Sequence, residues 1–143
     1  MWIEDYDSRL RSYRHLRQAL PHAKLERQLE VINQWWIDAP AGTNIIHWQD
    51  RDNWPNPWEL LAESVYDELA KALGIAYTIL FVNNNVDVSI LRAMDTNGND
   101  CIVVSVNNKY ILNWDSESVI STPVQEFRIQ ETLDCNALKE KVA

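Results

Sequence analysis

Residues 56–83 read NPWELLAESVYDELAKALGIAYTILFVN, and the fold turns on how this stretch divides. Asn56 is a good N-cap, because its side-chain oxygen can accept an orphan backbone N–H; Pro57 suits the first helical position, and Glu59 stands where a capping box places its carboxylate. Trp58, Leu61, Ala62, Val65, Leu69, Ala72 and Leu73 recur at three- and four-residue steps, the apolar stripe of a helix, and Gly74 is placed to take the left-handed conformation that ends it. From Ile75 to Val82 the helical period gives way to a nearly continuous apolar, β-branched run, which predicts a strand buried on both faces. A long helix feeding a buried strand is the expected centre of the fold.

On the N-terminal side the pattern is helical. Asp7 or Ser8 can cap a first helix with Leu10, Tyr13, Leu16 and Leu20 inward, and Pro21 ends it. Leu25, Leu29, Ile32 and Trp36 then mark the apolar face of a second helix, widened by Trp35. Residues 1–37 are thus expected to form a helical hairpin laid on the core. Residues 38–57 lack a sustained period and hold three of the five prolines, which predicts a long structured loop.

On the C-terminal side strands and turns alternate. Asn83-Asn84-Asn85 suits a tight hairpin, and Val86, Val88 and Ile90 alternate with Asp87 and Ser89. Gly98 offers a left-handed position in the loop 95–100, and Cys101–Val106 and Tyr110–Trp114 flank Asn107-Asn108, a type I′ turn. Val124, Phe127 and Ile129 suggest a fifth strand, and residues 137–142 a terminal helical turn. The expected class is α+β: an N-terminal helical hairpin and a central helix on an antiparallel β-meander of four to five strands.

Composition narrows the function classes. The chain has 143 residues, 46% of them hydrophobic, which suits one domain, 1–143, able to bury a sizeable core. No apolar run is long enough for a bilayer-spanning helix and no signal peptide is legible at the start, so the expected setting is cytoplasmic and no membrane partner is expected. Cys101 and Cys135 lack metal-type spacing and are expected to be free thiols. The net charge is −8; residues 1–37 carry +1 and the remainder −9, which disfavours nucleic acid as a partner while leaving Arg11 and Arg14 in a short basic segment that could meet an acidic one. No cofactor is expected: His15, His22 and His47 form no metal-type pair, and only three glycines are present, none in a phosphate loop. Asp50, Asp52 and Glu59 near His47 read as capping and solvated carboxylates.

The order helix, Gly-Ile, strand and hairpin ending in Trp-Asp resembles the core of the transglutaminase-like, papain-related family. Tyr66 to Ile75 (YDELAKALGI) matches that family's helix, and Cys101 to Asp115 (CIVVSVNNKYILNWD) matches its strand pair; the similarity covers roughly residues 56–116. The resemblance implies a nucleophilic Cys four residues before Ala70, where this chain has Tyr66, or Asp67 one register on. It implies a His at the start of the second strand, where Cys101 or Asp100 stands, and an orienting carboxylate, which Asp115 supplies. With thiol and imidazole absent from those positions, the core is expected to keep the shape and lack the acyl-transfer chemistry.

Seven tryptophans are present, and Trp35, Trp36, Trp48, Trp54 and Trp58 fall close together. They can form a satellite core under the loop or, in part, serve as anchors for a partner protein; Trp35, Trp36, Trp48 and Trp54 are the candidates. The stretch Trp54–Leu61 and the Trp- and Asn-rich acidic style also resemble small structural proteins of tailed bacteriophages. That resemblance implies a non-enzymatic tail, baseplate or neck component that binds other virion proteins, made in the host cytoplasm and carried into the particle. Two alternatives stand beside it: a cysteine-dependent hydrolase or acyltransferase using Cys101 with His47 reaching over from the loop, and an acidic nucleic-acid mimic that inhibits a host defence protein.

Overall fold

The computed structural model describes residues 5–42, 46–114, 119–121 and 128–139. Helices α1 (Tyr6–Ala19) and α2 (Leu25–Ile37) come first, followed by the short α3 (Pro57–Leu61) and the central α4 (Glu68–Val82). Strands β1 (Val88–Met94), β2 (Asp100–Val106), β3 (Tyr110–Leu112), β4 (Ile120–Ser121) and β5 (Arg128–Asp134) complete the chain. They form one sheet in the order β4-β3-β2-β1-β5, with every pairing antiparallel. The α+β class, the hairpin and the meander therefore stand as expected from sequence.

The division of residues 56–83 differs from expectation. The capping box at Asn56 and Glu59 is present: Glu59 N–H donates to Asn56 Oδ1 at 2.8 Å and Asn56 N–H to Glu59 Oε1 at 3.0 Å. The helix it starts ends at Leu61, however, and the chain begins a second helix at Asp67, whose Oδ1 accepts the Ala70 N–H at 2.7 Å. Ile75–Val82 is the C-terminal half of this α4, not a strand. An apolar run reads alike for a strand buried on two faces and a helix buried all round. Every residue from Ala72 to Leu80 is buried, because α4 lies between α2 on one side and β1 and β2 on the other.

Gly74 is not a helix end. A Cβ there would lie 2.6 Å from the Trp36 indole, so glycine is present to let α2 and α4 approach. Trp36 Nε1 then reaches Thr78 Oγ1 at 2.9 Å, Tyr13 OH shares that oxygen at 2.8 Å, and Thr78 donates to Gly74 O at 2.7 Å. Three helices thus meet on one hydroxyl, with each buried polar atom partnered.

Other turns follow the sequence more closely. Asn107 and Asn108 take φ of 54° and 53°, as a type I′ hairpin requires, and Gly98 sits at φ 80°. Asn83-Asn84-Asn85 joins α4 to β1 and is not a hairpin between strands. The fifth strand lies later than expected, at Arg128–Asp134 beside β1, and a short 3-10 turn at Cys135–Leu138 precedes the expected helical end. Val124, Phe127, residues 140–142 and Asp115 lie outside the described residues. Among the described residues no helix is long and apolar enough to cross a membrane.

Candidate functional site

The N-terminal end of α4 sits at the start of β2 and the end of β3, and three residues knit this corner. Asn113, just after β3, takes φ 64°, a left-handed conformation that Asn tolerates. Its amide nitrogen donates to Ile102 O at 2.9 Å and to Glu68 O at 3.1 Å, while its backbone N–H donates to Asn33 Oδ1 at 2.9 Å. The Ile102 N–H donates to Glu68 Oε1 at 2.8 Å. Helix α2, the first residue of α4, β2 and β3 are thereby fixed to one another.

Two cavities of about 310 and 390 Å3 open on either side of this corner and share Gly42, Asp67 and Glu68. The first is walled by Ile37, Lys71, Asn113 and Trp114, the second by His47, Trp48, Arg92 and Ile102. Together they make a groove that crosses the start of α4. Its rim is the backbone of residues 40–42, where Tyr66 N–H donates to Pro40 O at 2.8 Å and Gly42 N–H to Tyr66 O at 3.0 Å. Gly42 lies so close beneath Val65 that a Cβ would come within 2.7 Å of that side chain.

The groove is rich in titratable groups. Glu68 is exposed, but partial desolvation of its carboxyl beside β2, with Asp67 and Asp100 nearby, raises it above its ordinary 4.5, partly offset by the Ile102 amide. Asp67 spends its oxygens on backbone, Oδ1 on Ala70 N–H and Oδ2 on Ile46 N–H at 3.3 Å. Lys71 Nζ donates to Ile37 O at 3.1 Å, and burial lowers its ammonium below 10.5. Arg92 pairs with Glu131 across β1 and β5 at 2.9 Å, and the Trp48 indole N–H donates to the same carboxylate. His47 is exposed, and its carbonyl accepts the Trp54 indole N–H at 2.7 Å.

Against this geometry the residues singled out from sequence fall in different places. Tyr66 is fully buried; its hydroxyl donates toward Leu60 O and Glu63 O, and burial pushes it up to about 12. The side chain reaching the groove beside Asp67 is Glu68, which no spacing in the sequence singles out. Cys101 lies in a separate cluster with Leu91, Ala93, Val103 and Ile111, on the opposite side of β2 from Ile102, and its thiol is pushed up to about 11 by burial and by Glu68, Asp95 and Asp100. At the end of β3 it is Asn113 that contacts Glu68 and Ile102. Only the positive φ that Asn favours could have flagged it. Trp36, Trp48 and Trp54 are buried and Trp35 half-buried, so the first three cannot be exposed anchors. Among the described residues the exposed tryptophans are Trp58 and Trp114. Arg11 and Arg14 are exposed on α1.

Comparison with solved structures finds Legionella pneumophila LapG in more than one state. Calcium-bound Legionella pneumophila LapG superposes with a TM-score of 0.73 at 17% identity, over 93% of this chain and 78% of that one. This chain therefore shares its fold with LapG, a transglutaminase-like cysteine protease. A second LapG structure gives 0.71 at 19% identity over 94% and 77%, and EGTA-treated LapG 0.72 at 18% over 93% and 76%. No protein-family model matches the sequence, and no curated protein matches it. The resemblance drawn from YDELAKALGI and the strand pair is thus supported at the level of fold.

LapG is a cysteine protease, and the reading of this chain as a non-enzymatic bacteriophage virion component with a spent core is overturned: the likeness leads to an enzyme and not to a particle protein. Absence of a thiol and an imidazole from two positions does not empty the groove of chemistry. The groove instead holds a carboxyl of raised pKa, a histidine and two cations.

Proposed function

We propose that this chain is a hydrolase of amide or ester bonds acting in the groove across the start of α4, with Glu68 as general base. The observation that carries the reading is the Glu68 carboxyl itself: Oε1 is anchored to the Ile102 N–H, the helix start is pinned by Asn113, and the group faces the groove with a raised pKa. A base held in place, with a raised pKa, is what proton abstraction from water requires.

The chemistry balances without a cofactor. Glu68 takes a proton from a water molecule as its oxygen adds to the acyl carbon, and the tetrahedral intermediate then expels an amine or alcohol, which takes that proton back from Glu68. The products are a carboxylic acid and the freed amine or alcohol. His47, on the groove wall, is a group that can relay that proton from Glu68 to the leaving atom, taking it on one ring nitrogen and giving one up from the other. Trp48, Ile46 and Trp114 supply apolar walls for the flanking parts of an extended substrate.

Calcium is bound by LapG in one of the solved structures. Here the donor set does not fit a calcium site: Asp67 is committed to two backbone amides, and among the described residues no group of three or more His, Cys, Asp or Glu side chains gathers to hold a metal. No step is routed through a metal.

The likeness to a cysteine protease favours a second reading, in which Cys101 is the nucleophile and His47 its base. It requires the Cys101 side chain to leave its apolar cluster and cross to the Ile102 side of β2. One experiment separates the two. Ester and peptide substrates are turned over by the native chain, by Glu68→Gln and by Cys101→Ser. Under the first reading Glu68→Gln loses about a hundredfold or more of kcat/KM and Cys101→Ser keeps it. The opposite pattern replaces it with the thiol mechanism, and no turnover by the native chain overturns both.

A further inference from the structure

Away from the groove, the junction of α1 and α3 carries a cation enclosed by rings. The Arg17 guanidinium carbon lies 5.3 Å from the Tyr13 ring centroid, 5.1 Å from Trp58 and 4.9 Å from Phe81. Its Nε is sealed from solvent without a hydrogen-bond partner. Beside it a cavity of about 290 Å3 is lined by Tyr6, Leu10, Arg14, Arg17 and Trp58. Tyr6, Leu10, Arg14 and Arg17 recur along one face of α1, and the Tyr6 hydroxyl reaches Trp58 O at 3.4 Å across the cavity mouth. Neither Arg14 nor Arg17 has a carboxylate within ion-pair distance among the described residues. None of these residues lines the groove, so the site stands or falls apart from the hydrolase reading.

Three rings compensate part of the cost of enclosing a guanidinium, and the rest is ordinarily met by an anion. Tyr6 and Trp58 are 38% and 40% exposed, two of the four large apolar side chains so exposed among the described residues. Two arginines beside exposed rings, on a chain of net charge −8, select a short anionic group attached to something apolar. A long polyanion such as nucleic acid would be repelled by the acidic body. The cavity is too small for a cofactor and fits one or two side chains.

We propose that this α1–α3 cavity docks an acidic, aromatic-bearing peptide segment of a partner protein, its ring seated against Leu10 and Trp58 and its carboxylate between Arg14 and Arg17. Arg14, exposed on α1, steers the anion, and Arg17 is the fixed end of the pair. Trp58 and Tyr6 serve as the rim that excludes water from the contact.

The test uses two short peptides of matched length, acetyl-Glu-Phe-Glu-Glu-amide and acetyl-Gln-Phe-Gln-Gln-amide, titrated into the full chain while the Arg17 Nε–H and Trp58 indole N–H resonances are followed by NMR. Vesicles of phosphatidylcholine with phosphatidylserine are run in parallel. The acidic peptide is expected to shift both resonances and to saturate at roughly millimolar concentration, with the glutamine peptide about tenfold weaker. Arg14→Gln is expected to weaken the acidic peptide about three- to tenfold with unchanged circular dichroism, and about 0.5 M salt to remove most of the difference between peptides. Equal response to both peptides, no response of these two resonances by about 10 mM, or binding to the vesicles in place of the peptide overturns the proposal.

Discussion

Gly74 lies directly beneath the Trp36 indole, so near that a methyl group added to its backbone would sit 2.6 Å from three ring carbons. Helices α2 and α4 are therefore at their distance of closest approach there. Ring carbons of a buried Trp bonded to Thr78 cannot shift cheaply, so Gly74→Ala forces the helices apart. Overpacking costs about 1–3 kcal/mol, against roughly 0.5–1 kcal/mol gained from replacing a helical glycine. Urea denaturation is expected to show a net loss of about 1–2 kcal/mol. A stabilised Gly74→Ala variant would mean that the helix contact is looser than described.

Arg9 is 4% exposed, and its Nη1 donates to Leu61 O at 2.6 Å and Glu63 O at 2.9 Å. It closes the turn between α3 and α4 from the side of α1. Arg9→Met leaves those carbonyls short of a donor and is expected to lower stability by about 2–4 kcal/mol. Limited proteolysis should then cut first between residues 61 and 67.

Asn113 combines a positive φ with three hydrogen bonds to three elements. Asn113→Ala is expected to cost about 2–3 kcal/mol and to reduce turnover. Asn113→Gly relieves only the backbone strain. Recovery of stability without recovery of kcat in the glycine variant would assign the side-chain amide a positioning role at Glu68.

The Glu68 carboxyl has its folded pKa above the unfolded value of 4.5. The folded state therefore holds the proton longer, and this group's contribution to stability is complete below pH 4.5 and declines as pH rises through the folded pKa. In Glu68→Gln that decline is absent, so the variant gains on the native chain as pH rises above 4.5. Activity runs the other way, since the base must be ionised: kcat/KM is expected to rise through the same raised pKa. Matching midpoints from chemical denaturation and kinetics check both.

Burial pushes the Cys101 thiol up to about 11 and Cys135 up to about 12, and both are free. Thiolate is scarce at pH 8, so iodoacetamide is expected to label neither cysteine at an appreciable rate until denaturant is added. Rapid labelling of Cys101 in the native chain would count strongly for the thiol mechanism.

Much of the frame was legible because it is written in local signals. The α1 and α2 stripes, the Asn56–Glu59 capping box and the Asn107-Asn108 turn each depend on residues within a few positions of one another. The misread strand Ile75–Val82 shows the limit: a fully buried helix loses its polar face and with it the period that identifies it. Gly74 misled for a related reason, since its partner Trp36 lies on another helix and no short-range pattern records that contact. At the site, Asp67 was legible only as the alternative register for an absent nucleophile, beside Tyr66. Glu68 and Asn113 were not, because their roles come from Ile102 and Asn33, residues brought to them only by the closed sheet and the folded hairpin.

Asp67 caps α4 through Ala70 and with its other oxygen holds the Ile46 amide on the loop that walls the groove. Opening of that loop and fraying of the first turn of α4 consequently share one carboxylate, and each lowers the cost of the other. Anything that settles in the groove and holds the loop down will also slow hydrogen exchange at the Ala70 amide. Occupancy of the site can thus be read at a backbone position that touches no ligand.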